Sequence, residues 1–233
     1  MQVMIGCPVR NRAWILPQYL QHLTALDYPP EQVEYCFVIN DSQDETEALL
    51  HAFARRFPAR LLYDNSSRPG GWQRGYYQFG RLAELRNRLL EAFLQSECDY
   101  LFSVDSDILV PPQALQQLVQ TGRDVVSALV CNGAGIGDDQ FYNIFNWDDG
   151  RLLPIRQFPR DQVFPVDCTG AACLIKRRVI ETGARYNSRW GSEDIGFCRE
   201  VQKHGFAIFC HGGIECVHVM NPGPNSGLTG KFS

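Results

Sequence analysis

Over residues 3–130, short apolar runs alternate with stretches of helical periodicity, and that alternation confines the chain to a small group of folds. Val3 to Ile5 reads as a strand ending at Cys7-Pro8. Trp14, Ile15, Tyr19, Leu20, Leu23 and Leu26 then recur at helical spacing, predicting a helix over 13–26 that stops before Tyr28-Pro29-Pro30. Tyr35 to Ile39 is a fully apolar run, suited to a parallel strand covered on both faces. Asp44 with Glu47 forms a capping box ahead of a helix over 45–57. A strand at 61–63, a helix at 82–94, a strand at 100–104, a helix after Pro111-Pro112 and a strand at 125–130 complete the series. Parallel strands joined by helices imply an α/β fold, a mostly parallel mixed sheet between two helical layers. Beyond Cys131 the pattern loosens, with strands expected near 141–145, 163–166, 171–175, 206–209 and 214–217 and a helix over 193–204.

A chain of 233 residues suits one domain with a full core, expected over 1–220 with a flexible tail at 221–233. The net charge of −4 argues against nucleic acid as the main partner. No apolar run approaches the ~18 residues of a membrane span, and the start shows no basic region ahead of a long apolar stretch. The nine cysteines include no Cys-x-x-Cys pair, which reads as reduced, buried thiols and a cytoplasmic location, with peripheral membrane contact left open. The glycine- and aromatic-rich stretch at 65–80 is long for a connection and is expected to cover the core or act as a lid.

The segment Tyr100-Leu101-Phe102-Ser103-Val104-Asp105-Ser106-Asp107 places two carboxylates at the carboxyl end of a buried strand, the edge where open α/β sheets bind ligands. Oxygen ligands so placed suit Mg²⁺ or Mn²⁺ beneath a diphosphate; the simpler reading is an Asp-initiated turn. Asn40-Asp41 ends the second strand, and Pro8-Val9-Arg10-Asn11-Arg12 follows the first, so guanidiniums can meet phosphate at the same edge. Trp190-Gly191-Ser192-Glu193-Asp194 opens a helix with two acids in its first turn, either a charge–dipole arrangement or a general base at the acceptor. His218 on the last strand is a structural histidine or a neutral imidazole ligand.

Taken in order, Pro8-x-x-Asn11-Arg12, Ser42-x-Asp44-x-Thr46, Arg86-Asn87, Asp105-x-Asp107, Glu193-Asp194 and His218 resemble the GT-A glycosyltransferases, family 2 in particular, across residues 2–220. The resemblance implies a single GT-A catalytic domain, with 1–107 as its nucleotide half and 108–220 as its acceptor half. It implies a nucleotide-diphospho-sugar donor (a UDP- or GDP-sugar), Mn²⁺ or Mg²⁺, and a carbohydrate or other hydroxyl-bearing acceptor. Pro8, Arg10, Arg12, Asp41, Arg86, Asp105 and Ser106 would then border the nucleotide, while Asp105, Asp107 and His218 would hold the metal. Gly170 would let backbone approach the sugar, and Trp190 would wall it. Asp194 would be the base of an inverting transfer, its pKa raised by the neighbouring charge of Glu193.

Two departures, Asn40-Asp41-Ser42 for Asp-Asp-Gly-Ser and Val9-Arg10 for Thr-Tyr, fall in the base-binding pocket and leave the nucleotide open. A sugar nucleotidylyltransferase would carry a glycine-rich loop after the first strand, where this chain has none. An inactive nucleotide-sugar-binding module would have no need of Asp194.

Overall fold

The computed structural model describes residues 1–65, 78–133 and 137–221. Most of the aromatic stretch at 65–80, with its lid reading, and the tail after 221 lie outside the described residues.

The front half is a parallel sheet. Strand β1 (Val3–Val9) pairs in parallel with β2 (Val33–Ile39), which pairs in parallel with β3 (Ala59–Tyr63). On its other side β1 pairs in parallel with β4 (Tyr100–Val104). β1 runs through Pro8 instead of ending at it. Pairing with β4 stops at Gly6, whereas pairing with β2 continues to Val9. The N–H that Pro8 lacks would face the side where no neighbour remains.

Helix α1 (Leu16–Thr24) lies between β1 and β2 in the chain and buries Leu16, Tyr19, Leu20 and Leu23, one continuous stripe. It starts later than the periodicity predicts because Pro17 occupies the first turn, where its missing N–H costs nothing. Helix α2 (Thr46–Ala54) follows β2, and α3 (Phe79–Leu94) precedes β4. After β4 come the short strand β5 (Ile108–Leu109), helix α4 (Ala114–Gln120) and strand β6 (Val125–Val130).

The back half departs most from the sequence reading. β7 (Ile144–Asp148) and β8 (Arg151–Pro154) form a hairpin, and β10 (Cys168–Thr169) joins them in a separate three-stranded sheet, after β9 (Val163–Val166). β11 (Ala172–Lys176) is antiparallel to both β4 and β6, which makes the main sheet mixed. Helices α5 (Arg177–Glu181) and α6 (Glu193–Lys203) precede β12 (Ile208–His218). The two strands expected over 206–217 are one, β12, with a register shift between His211 and Glu215. The shift falls at Gly212-Gly213, and a side chain at Gly212 would collide with the backbone of Pro159.

The main sheet runs β3-β2-β1-β4-β11-β6-β12-β5, with β9 added against β12. Its faces carry two separate cores. Val3, Ile5, Cys7 and Val9 of β1 pack with α1, α2 and α4, while Met4 packs with α3, α5 and α6. Strand alternation therefore dictates the three layers. All nine cysteines are free thiols, eight of them buried.

Candidate active site

The carboxyl ends of β1, β2 and β4 meet at one rim. The loops after β1 and β2 are stitched together by side chains that satisfy backbone groups. Asn11 N–H donates to Ser42 Oγ (3.2 Å), Gln43 N–H to Asn11 Oδ1 (2.8 Å), Arg12 N–H to Thr46 Oγ1 (2.7 Å) and Ala13 N–H to Asp44 Oδ2 (3.0 Å). Asp44 accepts from Thr46 N–H (3.0 Å) just ahead of α2 and also anchors the neighbouring loop. The N-cap of α2 is Glu45, with no side-chain cap bond, so the expected Asp44–Glu47 capping box does not form. Asn11 (φ 49°) and Asp41 (φ 41°) take left-handed backbone, a conformation costing about 1–3 kcal/mol and tolerated best by residues of this type. Pro8, Arg10 and Arg12 are half-buried along the rim, and Asp41 accepts a hydrogen bond from Asn40 Nδ2 at 2.9 Å.

The turn after β4 presents its acids alternately. Asp105 and Asp107 are partly exposed and Ser106 between them is buried, which turns Ser106 away from the cleft expected to hold nucleotide. Val219 N–H donates to Asp107 O (2.9 Å), fastening the end of β12 to this turn. His218 is thereby brought to Asp107, with Nε2 3.9 Å from Oδ1. Asn132 Oδ1 lies 3.1 Å from His218 Nδ1, so a proton on Nδ1 leaves the Nε2 lone pair facing Asp107. The other Asp107 oxygen pairs with Arg12 Nη2 at 3.2 Å. Among the described residues no group of three or more His, Cys, Asp and Glu is gathered as a metal cage. One carboxylate and one imidazole converging on a rim suit instead a divalent ion whose shell is completed by phosphate and water.

Asp105 faces the other way, onto Arg86. Arg86 was expected beside the nucleotide, but the structure places it beneath the cleft floor, 4% exposed. Its Nη2 donates to Asp105 Oδ1 (2.7 Å), its Nε to Glu193 Oε1 (3.2 Å) and its Nη1 to Ser103 Oγ (3.4 Å), and it lies over the Tyr186 ring. Burial opposes the guanidinium charge, but Asp105, Asp194 and Glu193 together outweigh it and hold the pKa well above its ordinary value. Glu193, at the N-terminus of α6, is wholly engaged and 3% exposed.

Asp194 is different from its neighbour. Its side chain is 28% exposed, its Oδ1 is 4.0 Å from Arg86 Nε, and it accepts no hydrogen bond from the described residues. Burial pushes the carboxyl up, Arg86 pulls it down, and Glu193 and Asp105 push it up again, leaving it at about 8. Gly170 lies against this carboxylate, and a Cβ there would overlap its oxygens. The glycine expected to admit sugar therefore makes room for Asp194. Asn143 Nδ2 holds the Gly170 carbonyl at 2.8 Å, and Ala171 follows in left-handed backbone (φ 66°). Trp190 is 53% exposed beside the N-terminus of α6. Asn132, Asn143 and Tyr186 were not legible from the sequence, since each acts through partners distant in the chain and none belongs to a motif.

This arrangement can be set beside known proteins. Residues 1–186 match the sequence profile of glycosyltransferase family 25, N-terminal domain. The chain belongs to glycosyltransferase family 25. The GT-A resemblance read from the sequence is thus borne out, with family 25 in place of family 2 as the family that matches. A Drosophila melanogaster "Glycosyltransferase 25 family member" is 25% identical over 193 residues, covering 74% of this chain and 31% of that protein. The rat "Multifunctional procollagen lysine hydroxylase and glycosyltransferase LH3" is 23% identical, covering 90% of this chain and 28% of that one. The chain thus spans about a third of the length of these relatives. Among solved structures, GalNAc-T7 with UDP, GalNAc and Mn²⁺ superposes with a TM-score of 0.68 at 15% identity, over 94% of this chain and 44% of that one. The mannosyltransferase PcManGT of Pyrobaculum calidifontis, with GDP-Man and Mn²⁺, gives 0.62 at 17% identity, over 94% and 57%. These likenesses establish the GT-A fold.

Proposed function

We propose that the protein transfers a sugar from a nucleotide-diphospho-sugar to a hydroxyl acceptor with inversion at the anomeric carbon, using a divalent ion and Asp194 as general base. The observation that carries this reading is that Arg86 ties two chemically distinct walls together, pairing with Asp105, two residues before Asp107, at 2.7 Å and lying 4.0 Å from Asp194. On one wall Asp107 and His218 converge beside Arg12, and on the other stands Asp194, a carboxylate that accepts no hydrogen bond among the described residues. The donors bound in related folds, UDP and GDP-Man with Mn²⁺, accord with it.

Asp107 and His218 would hold the ion, which when bound supplies Lewis-acid neutralisation of the leaving diphosphate. Arg12 exchanges its pairing with Asp107 for a phosphate oxygen and adds a fixed positive charge on the same side. Arg10 and Asp41 border the base and ribose. Asp194, across the cleft, takes the acceptor hydroxyl proton onto a carboxylate oxygen as the new glycosidic bond forms. Its raised pKa makes it a stronger base than an ordinary aspartate, and proton transfer by a placed carboxylate contributes roughly 10²–10⁴-fold to a rate. Arg86 stays charged and holds Asp105 and Glu193 in place beside Asp194.

Thermal unfolding with a panel of nucleoside diphosphates and sugar nucleotides, with and without Mn²⁺, tests the donor wall. A ligand of the folded state at a hundredfold excess over its Kd adds about 2.7 kcal/mol. UDP or GDP compounds should raise Tm only with Mn²⁺; a panel with no shift under either condition would overturn the reading.

A further inference from the structure

Away from the residues assigned to the donor and the base, one guanidinium sits between two indoles. Arg199 lies on α6, five residues after Asp194, with its guanidinium 4.0 Å from the centre of the Trp147 ring and 4.8 Å from that of Trp190. The two indoles meet at 6.5 Å and 70°, an edge-to-face corner with the guanidinium in its angle. Among the described residues Arg199 makes no ion pair and no hydrogen bond, and its Nε is buried without a partner. This occurs in a chain of net charge −4. Asp167, which touches both Trp147 and α6, is engaged elsewhere: Oδ2 accepts from Trp147 N–H (2.8 Å) and Oδ1 from Gln202 Nε2 (2.9 Å). Asp167 thereby braces the β7–β8 hairpin against α6 and fixes the corner without neutralising it.

Trp190 keeps half its surface open to solvent, and Leu153 of β8 is also exposed. An indole with an open face is a stacking surface for the C–H face of a sugar ring, and an unpaired guanidinium beside it is a fork for an oxyanion. Arg199 sits on the helix whose first turn carries Asp194, and Trp190 lies three residues before that helix begins. Five residues of α6 rise about 7.5 Å and turn about 140° around the axis, so the corner is joined to the Asp194 edge through Trp190, four residues before Asp194, and not by a shared helix face.

We propose that Trp147, Arg199 and Trp190 form an acceptor subsite for a saccharide bearing an oxyanion, a carboxylate or phosphate group on a ring next to the one that receives the sugar. This rests on the reading of Asp194 as the acceptor edge. The aromatic faces take the ring, the guanidinium N–H groups take the oxyanion, and the reacting hydroxyl is thereby delivered toward Asp194. A neutral acceptor would leave the guanidinium unsatisfied and bind more weakly.

Calorimetry with matched saccharides tests this directly on the whole chain. A tetrasaccharide of alternating glucuronate and N-acetylglucosamine should bind about tenfold more tightly than the N-acetylglucosamine tetrasaccharide, or mannose 6-phosphate more tightly than mannose by a similar factor. Whichever pair shows the preference identifies the oxyanion. Arg199→Gln should erase the preference while changing neutral binding less than twofold, and Trp147→Ala should weaken charged and neutral ligands alike. Equal binding of charged and neutral partners in both pairs, or a preference that survives Arg199→Gln, overturns the subsite. Nucleotide-induced thermal shifts, read separately, report on the donor wall. A saccharide preference without any nucleotide shift would sink the proposed function and leave the anionic-sugar subsite standing.

Discussion

The two walls of the cleft are built by opposite means. The donor wall is a lattice of short polar side chains satisfying backbone N–H groups, with Asn11, Ser42, Asp44 and Thr46 knitting the loops after β1 and β2 and leaving Arg10 and Arg12 half-buried at the surface. The acceptor wall is a buried ion network, in which Arg86 draws Asp105 and Glu193 together while Asp194 beside them accepts no hydrogen bond among the described residues. The contrast fits two tasks. A wall that binds a diphosphate needs positive charge free to reorganise, whereas a wall that supplies a base needs a carboxylate kept from being quenched.

The sharpest break in this contrast comes from Asp194→Asn. It should cut transfer by roughly 10²–10⁴-fold in steady-state kinetics while leaving nucleotide-induced thermal shifts unchanged. Replacing Arg86 by Met attacks the same wall through its core. It strands Glu193 in a buried setting and leaves the partly exposed Asp105 unpaired, and denaturant unfolding should show a loss of about 3–5 kcal/mol. Gly170→Ala separates position from charge, because the added methyl displaces the Asp194 carboxylate without altering its neighbours. A drop of about a hundredfold in kcat, with donor affinity held, is expected from such a displacement. On the donor wall, Asn132→Ala removes the contact that orients His218, and Mn²⁺ affinity measured by calorimetry should fall about tenfold with no change in the pH dependence of turnover.

Legibility followed distance along the chain. Tyr100 to Asp107 could be read because a buried strand and the acids at its end lie within one segment. The parallel pairing of β1, β2 and β4 followed from the alternation of strands and helices, while their order in the sheet did not. Arg86 could not be placed, since its role depends on Glu193, which arrives 107 positions later through α6. The motif named the residue, but only the fold shows that its charge is directed inward. The β7–β8 hairpin was missed although its signal is present: Asp149 and Gly150 both take positive φ (44° and 74°), the backbone that an Asp-Gly hairpin turn requires. Gly212-Gly213 lies between the two stretches read as strands, 206–209 and 214–217, and a bulge there keeps β12 one continuous strand.

Asp194 also links the acceptor wall to stability. Its pKa is raised in the folded state, so the unfolded chain releases this proton first, and folding should be progressively disfavoured as pH rises from the ordinary aspartate range toward about 8. Asp194→Asn should remove that slope from urea midpoints measured across the range.

The most direct measurement is kcat/KM for sugar transfer against pH, in the wild type and in Asp194→Asn. With Asp194 as the base, the wild-type profile climbs with increasing pH and levels off above about 8, and the variant loses both the climb and the activity. A wild-type profile flat from mildly acidic to mildly alkaline pH, with the variant within a few-fold of it, would contradict the assignment.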